Sequence, residues 1–171
     1  KIKSGLYEIM SDLKIPYGFN LLIEPGTEIF MKEGVSIYLE GDLYAIGTQN
    51  QPIKIRNYPN EGPFGVFAVV GKEKRSIVKL ENFFLEGGSS SIIEGVEFLG
   101  QISLHNVDLE ADRIFLSNSF SDDGINVRNS KVEIRNSEFK NNSYDQIDLD
   151  FCRGNLHSNI FTSSDNLKDE L

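Results

Sequence analysis

Tryptophan is absent from the 171 residues, cysteine occurs once, histidine and methionine twice each, and proline five times. One thiol, Cys152, excludes an internal disulfide framework, so the fold is held by its core and not by covalent staples. Following the apolar Phe151, that thiol reads as a small buried side chain and not a nucleophile. His105 and His157 lie far apart and lack a third partner at ligand spacing, so they do not make a zinc site. No apolar run approaches the length needed to cross a bilayer, which argues against membrane insertion by a helix. Positive charge is scarce as well. Seventeen Lys and Arg face 26 Asp and Glu, for a net charge of −9. Such a chain repels nucleic acid, and its short basic stretch from Lys72 to Arg75 reads as a solvated turn. A G-x-S-x-G elbow, a P-loop and a G-x-G-x-x-G turn are all missing.

What the chain does have is a repeat. Ile125 and Val127 return 22 residues later as Ile147 and Leu149, Ile134 returns as Leu156, Phe139 as Phe161 and Asp123 as Asp145. Apolar residues two apart inside each unit, with polar turns between units, mark a chain winding into stacked coils. In that register Ile125 and Val127 point inward, Asp148 lies beside Asn126, and Asp150 lies beside Arg128. Phe139 over Phe161 makes an aromatic stack at a corner.

Upstream, short β-rich runs such as Val35 to Leu39 alternate with Gly, Pro, Asn and Asp, and a longer loop from Asn57 to Gly65 interrupts the winding. The first residues read differently. Leu6, Ile9, Met10 and Leu13 fall at the spacing of one short amphipathic helix over residues 5–13, with Ser4 as N-cap; a strand is the rival reading. Either serves as a cap for the open end of the stack. Residues 1–19 are thus expected to be an N-terminal capping segment, and residues 20–171 a coil stack truncated in mid-repeat. Asn106, Asn118, Asn136 and Ser158 stand at corners, where Asn tolerates the left-handed conformation and bonds to its copy in the next coil.

The segments Ile15-Pro16-Tyr17-Gly18, Glu24-Pro25-Gly26-Thr27, Gly41 to Thr48 leading to Pro52-Ile53, Asp122 to Asn126 and Asp145 to Phe151 together resemble right-handed parallel β-helix proteins of the pectate-lyase-like superfamily. The closer likeness is to bacterial surface β-helix modules found beside spore-coat-kinase-like domains. The resemblance implies an all-β, single-stranded right-handed solenoid. It is weak for activity, since the superfamily hosts enzymes, adhesins and spacers.

Chemistry, if present, centres on Asp122, Asp123, Asp145, Asp148 and Asp150. Carboxylates stacked in successive coils repel unless a cation, a proton or a basic neighbour intervenes. One reading is a calcium ion held by Asp123, Asp145 and Asp148 with the Asn126 side chain; the other is aspartates turning back to bond the backbone. A calcium-dependent lyase or epimerase of uronate polymers, as the resemblance allows, would take Lys131 or Arg153 as base. That like-charged pair stacks one coil apart, whereas Arg128 and Asp150 form a plain ion pair. The reading set first is a non-catalytic module of a larger extracellular or envelope protein, joined to other domains of a longer chain. It would serve as a rigid spacer or a face for a polysaccharide or surface protein. The terminal Lys168-Asp169-Glu170-Leu171 would place the protein in the ER lumen if it were a genuine C-terminus. Asn141-Asn142-Ser143 fits a glycosylation acceptor.

Overall fold

The computed structural model describes residues 1–163, so the terminal tetrapeptide and the Asp165-Asn166-Leu167 segment lie outside the described residues. The chain winds in coils of three short strands each. The first coil is β1 (Gly5–Ile9), β2 (Leu13–Ile15) and β3 (Leu21–Ile23); the second is β4 (Thr27–Met31), β5 (Ile37–Leu39) and β6 (Leu43–Ile46). The third is β7 (Ile53–Asn57), β8 (Phe67–Val70) and β9 (Ser76–Glu81). In the fourth, β10 (Phe83–Glu86) is followed by an inserted pair, β11 (Ser91–Ile93) and β12 (Val96–Phe98), before β13 (Gly100–His105) and β14 (Val107–Asp112) complete the turn. The fifth is β15 (Phe115–Ser117), β16 (Asp123–Arg128) and β17 (Lys131–Arg135). The sixth is β18 (Glu138–Lys140), β19 (Asp145–Asp150) and β20 (Arg153–His157), after which β21 (Ile160–Thr162) begins a seventh.

Corresponding strands stack in parallel to make three faces. The first has seven strands, β1-β4-β7-β10-β15-β18-β21; the second has six, β2-β5-β8-β13-β16-β19; the third has six, β3-β6-β9-β14-β17-β20. This is an all-β parallel β-helix, as the repeat predicts. Because side chains alternate along a strand, every second residue enters the shaft, and the register turns those residues into columns. One column on the second face runs Leu13, Ile37, Phe67, Ile102, Ile125, Ile147. Another on the first face runs Ile29, Ile55, Leu85, Leu116, Phe139, Phe161, ending in a stacked ring pair at 5.4 Å. Each fully buried aliphatic side chain in such a column stabilises the fold by about 1.5–3 kcal/mol.

The first residues are strand, not helix. Tyr7 and Ile9 pair with Ile29 and Met31 inside the first face, while Leu6 and Met10 are exposed. The helical spacing arises because the inward residues Ile9 and Leu13 flank a three-residue corner. Residues 1–19 therefore contribute strands to the first and second faces.

The corners use left-handed residues. Asn106, Asn118, Asn136 and Ser158 all have φ between 53° and 56°, as expected for corner residues. Their side chains do not bond to copies of themselves: Asn106 donates to the Gly71 carbonyl at 2.8 Å and Asn136 to Asp112 at 2.9 Å. The coil-to-coil bonds come from the next residue along. Ser130, following the left-handed Asn129, accepts the Val107 N–H at 3.0 Å; Ser137, following Asn136, accepts the Ile114 N–H at 3.1 Å. Both serines are buried. The Asn-Ser doublets at 129–130 and 136–137 are the sequence signal for this device; the doublet at 118–119 differs, its Ser119 hydroxyl accepting the Ser121 N–H and donating to the Asp123 carbonyl within one coil.

The inserted hairpin is the one antiparallel pair among the described strands. Its two-residue loop, Glu94 at φ 52° and Gly95 at φ 79°, has the double positive φ of a type I′ turn. It folds over the outside of the second face. Phe98 meets Tyr38 edge-on at 6.0 Å and stacks on His105 at 4.9 Å, and Val66 and Ala68 are buried beneath it. Lys14 bonds Glu94 at the hairpin tip.

Candidate functional site

Beyond the hairpin, the outer face of β16 and β19 carries the acidic group. Asp123 opens β16 and pairs in register with Asp145; Asn126 pairs with Asp148 and Arg128 with Asp150. Asn126 is fully buried, and its amide nitrogen donates to Asp123 at 3.2 Å and to Asp148 at 2.7 Å. With the amide nitrogen committed to carboxylates, its oxygen faces His105 Nε2 at 3.4 Å, and the imidazole donates from that nitrogen. Burial holds the His105 pKa below its ordinary value, so the ring is neutral at physiological pH. Asp123, only 4% exposed, is pushed the other way. Burial first, then the charge of Asp148, raises its pKa to about 6.

The structure thus brings Asp123, Asp148 and Asn126 together, with Asp145 beside them and exposed. Asn126 meets the carboxylates with its N–H groups, whereas a calcium ion would need its oxygen. Among the described residues, no three His, Cys, Asp or Glu side chains are grouped so as to hold a metal ion. The site fits a shared amide and a raised carboxyl pKa better than it fits calcium. Asp122 is exposed and its carbonyl accepts the Asp145 N–H at 3.0 Å, and Asp150 pairs with Arg128 at 3.1 Å.

Lys131 and Arg153 lie elsewhere. They pair in register at the starts of β17 and β20, on the third face. Five strand steps, about 16 Å at ~3.3 Å per residue, and a corner separate Lys131 from Asp123. The two halves of the lyase arrangement therefore do not share a face. Sequence proximity of Arg128 and Lys131 hides this, because the chain turns at Asn129-Ser130.

The third face carries an open groove. One part, of about 530 Å³, is lined by Lys79, Glu81, Glu110, Asp112, Arg135 and His157 among others. A second part of about 500 Å³ shares Glu110 and Glu133 with it and reaches Lys131 and Arg153. Most of its carboxylates are matched: Lys79 with Glu110 at 2.8 Å, Arg113 and Arg135 with Asp112 at 2.6 and 3.4 Å, and Asn155 donating to Glu133 at 2.8 Å. Burial raises the Asp112 pKa, but the bonds from Asn136 and Arg135 and the Arg113 charge outweigh it and hold the carboxyl below its ordinary range. Asp112, held between two guanidinium groups, is not poised as a general base.

At the corner between the second and third faces lies a smaller cleft of about 300 Å³, lined by Arg75, Ser130, Lys131, Phe151, Cys152 and Arg153. Cys152 occupies the place that Ser130 holds one coil earlier, half-buried with Sγ 3.3 Å from the Val127 carbonyl. Burial raises its thiol pKa, which makes it a packing residue and a poor nucleophile. Phe151 occupies the left-handed corner that Asn106 and Asn129 fill in earlier coils, at φ 54°, and is 91% exposed. A non-glycine residue held there costs on the order of 1–2 kcal/mol, and an aromatic gains nothing from local hydrogen bonding in return. The sequence signal for it is an aromatic at a corner spacing that Asn fills in the two preceding coils.

Comparison of the chain with family models, with curated proteins and with solved structures finds no match in any of the three.

Proposed function

We propose that the chain is a non-catalytic β-helix module of a larger extracellular or envelope protein, a rigid rod whose third face binds carbohydrate. The observation that carries this reading is the groove across β9, β14, β17 and β20. It is long and open, and most of its carboxylates are matched to cations or amides, while Lys131 and Arg153 at one end are not. Such a surface offers a polymer many hydrogen bonds along its length, and carboxylates held by cations and amides are poor bases for bond cleavage. A stack in which each coil contacts only its neighbours is stiff along its axis and free to vary outside, which suits a spacer. The pectate-lyase-like resemblance adds a fold precedent to this reading.

Affinity electrophoresis through gels containing plant, bacterial and animal polysaccharides tests it. Retardation by at least one glycan, weakened by Lys79→Ala with Glu133→Ala, is expected; no retardation in any gel removes the carbohydrate part. The alternative, a calcium-dependent lyase or epimerase of uronate polymers, rests on the acidic group and on Lys131 and Arg153. Incubation with pectate, alginate and glucuronan in calcium is expected to produce no ultraviolet-absorbing unsaturated product.

A further inference from the structure

We propose that the corner cleft beside Cys152 binds a phosphate monoester carried on a sugar ring. Two features there are unfavourable for the isolated chain, and one ligand chemistry answers both. The first is charge. Arg75, Lys131 and Arg153 converge on the cleft in a chain of net charge −9. The single acid among them is Asp108, 3.7 Å from Arg75 and 4.0 Å from Lys131, too far for a tight ion pair with either. Asp150, the next carboxylate, is bonded to Arg128. No carboxylate among the described residues lies within ion-pairing distance of Arg153, which instead stacks in register on Lys131. Like charges in adjacent strands repel. Three cations against one acid leave two positive charges, which a phosphate monoester matches with its charge of about −1.5 to −2 at pH 7. A carboxylate or a sulfate ester would leave one charge unanswered. Two guanidinium forks and an ammonium also match the three terminal oxygens of a phosphate.

The second feature is Phe151. Its ring stands in solvent at the edge of the same cleft, in a backbone conformation that the preceding coils give to asparagine. An exposed aromatic ring is a platform for the C–H face of a sugar, and the cleft has room for a phosphate with the ring it is attached to. The inference rests on the reading of this flank as a saccharide-binding face, and names the ligand class.

Calorimetric titration of the 171-residue chain at low salt with glucose 6-phosphate, inorganic phosphate, glucuronate and glucose tests it. Glucose 6-phosphate is expected to bind tightest, inorganic phosphate more weakly, and glucose not measurably. Arg153→Ala and Lys131→Ala should each weaken both phosphate ligands about tenfold. Melting temperature should hold or rise in both variants, since each relieves the like-charge pair. Phe151→Asn should bring glucose 6-phosphate down to the affinity of inorganic phosphate and leave the latter unchanged. Glucuronate binding as tightly as glucose 6-phosphate overturns the charge match. Phosphate binding indifferent to Arg153→Ala, or absent, overturns the site. If glycan-gel retardation persists through such a failure, only this inference falls; if it is lost too, the carbohydrate reading falls with it.

Discussion

Asp123 is a buried carboxyl, and its titration has a sign opposite to that of a carboxyl held in an ion pair. Its folded pKa of about 6 lies above the ordinary 3.8, so the folded chain holds a proton that the unfolded chain releases. The resulting stabilisation is complete below pH 3.8 and disappears as pH rises through about 6. The gap corresponds to ~3 kcal/mol at most. His105, whose pKa is lowered from 6.5 by burial, acts in the opposite direction, its contribution rising as pH climbs to 6.5, so the wild-type melting curve against pH is a sum of two trends. Asp123→Asn removes only one of them. The variant should melt higher than wild type at pH 7.5, with the difference closing by pH 4; a difference that does not change with pH would show Asp123 ionised throughout. Because Asn126 offers N–H groups and not oxygen to Asp123 and Asp148, millimolar calcium should leave the melting temperature where chelator leaves it. A rise proportional to the logarithm of calcium would restore the ion.

Elements divide into those readable from the chain and those that were not, and the division has a cause. The neighbours Asn126 and Asp148, Arg128 and Asp150, and Phe139 and Phe161 follow from a fixed 22-residue step, because a parallel stack with no insertion permits one register. The same rule fails where a corner lengthens. Ile9 and Leu13 imitate a helix across a corner, and after a turn at Gly87 to Ser91 the 22-residue step does not reveal the inserted hairpin, although Glu94-Gly95 sits between Ile92-Ile93 and Val96 in the pattern of a tight one. The acidic pair was visible in sequence, but its distance from Lys131 and Arg153 was not, since which face a residue reaches depends on where the corner falls. The hairpin offers a test of its own. Phe98 is buried between Tyr38 and His105. Phe98→Ala should cost about 3–5 kcal/mol by denaturant unfolding. It should also let the His105 pKa climb back toward 6.5, followed by the imidazole NMR signals, because burial is what holds it down. A His105 pKa unmoved in a folded variant would mean that the hairpin does not shield the imidazole.

At the scale of the whole molecule, stability is a sum over adjacent coils, and among the described strands β1, β2 and β3 at one end and β19, β20 and β21 at the other have one neighbour in place of two. Hydrogen exchange should therefore be slowest in β8, β13 and β16 and faster toward β1 and β20; uniform protection along the chain would require a cooperativity that the contacts do not contain. The variable coil length has a further outcome. Tyr7 pairs with Ile29, Ile29 with Ile55, Ile55 with Leu85, Leu85 with Leu116 and Leu116 with Phe139, so no strand waits for a partner more than about one coil away, however long the stack becomes. A parallel sheet is slow to assemble when its strands are distant in the chain, because the loop must close before any contact rewards it. Here that delay is set once and does not grow. During synthesis each emerging coil finds its template already laid down on the ribosome side of the growing rod, and the protein can be built in the order in which it is translated.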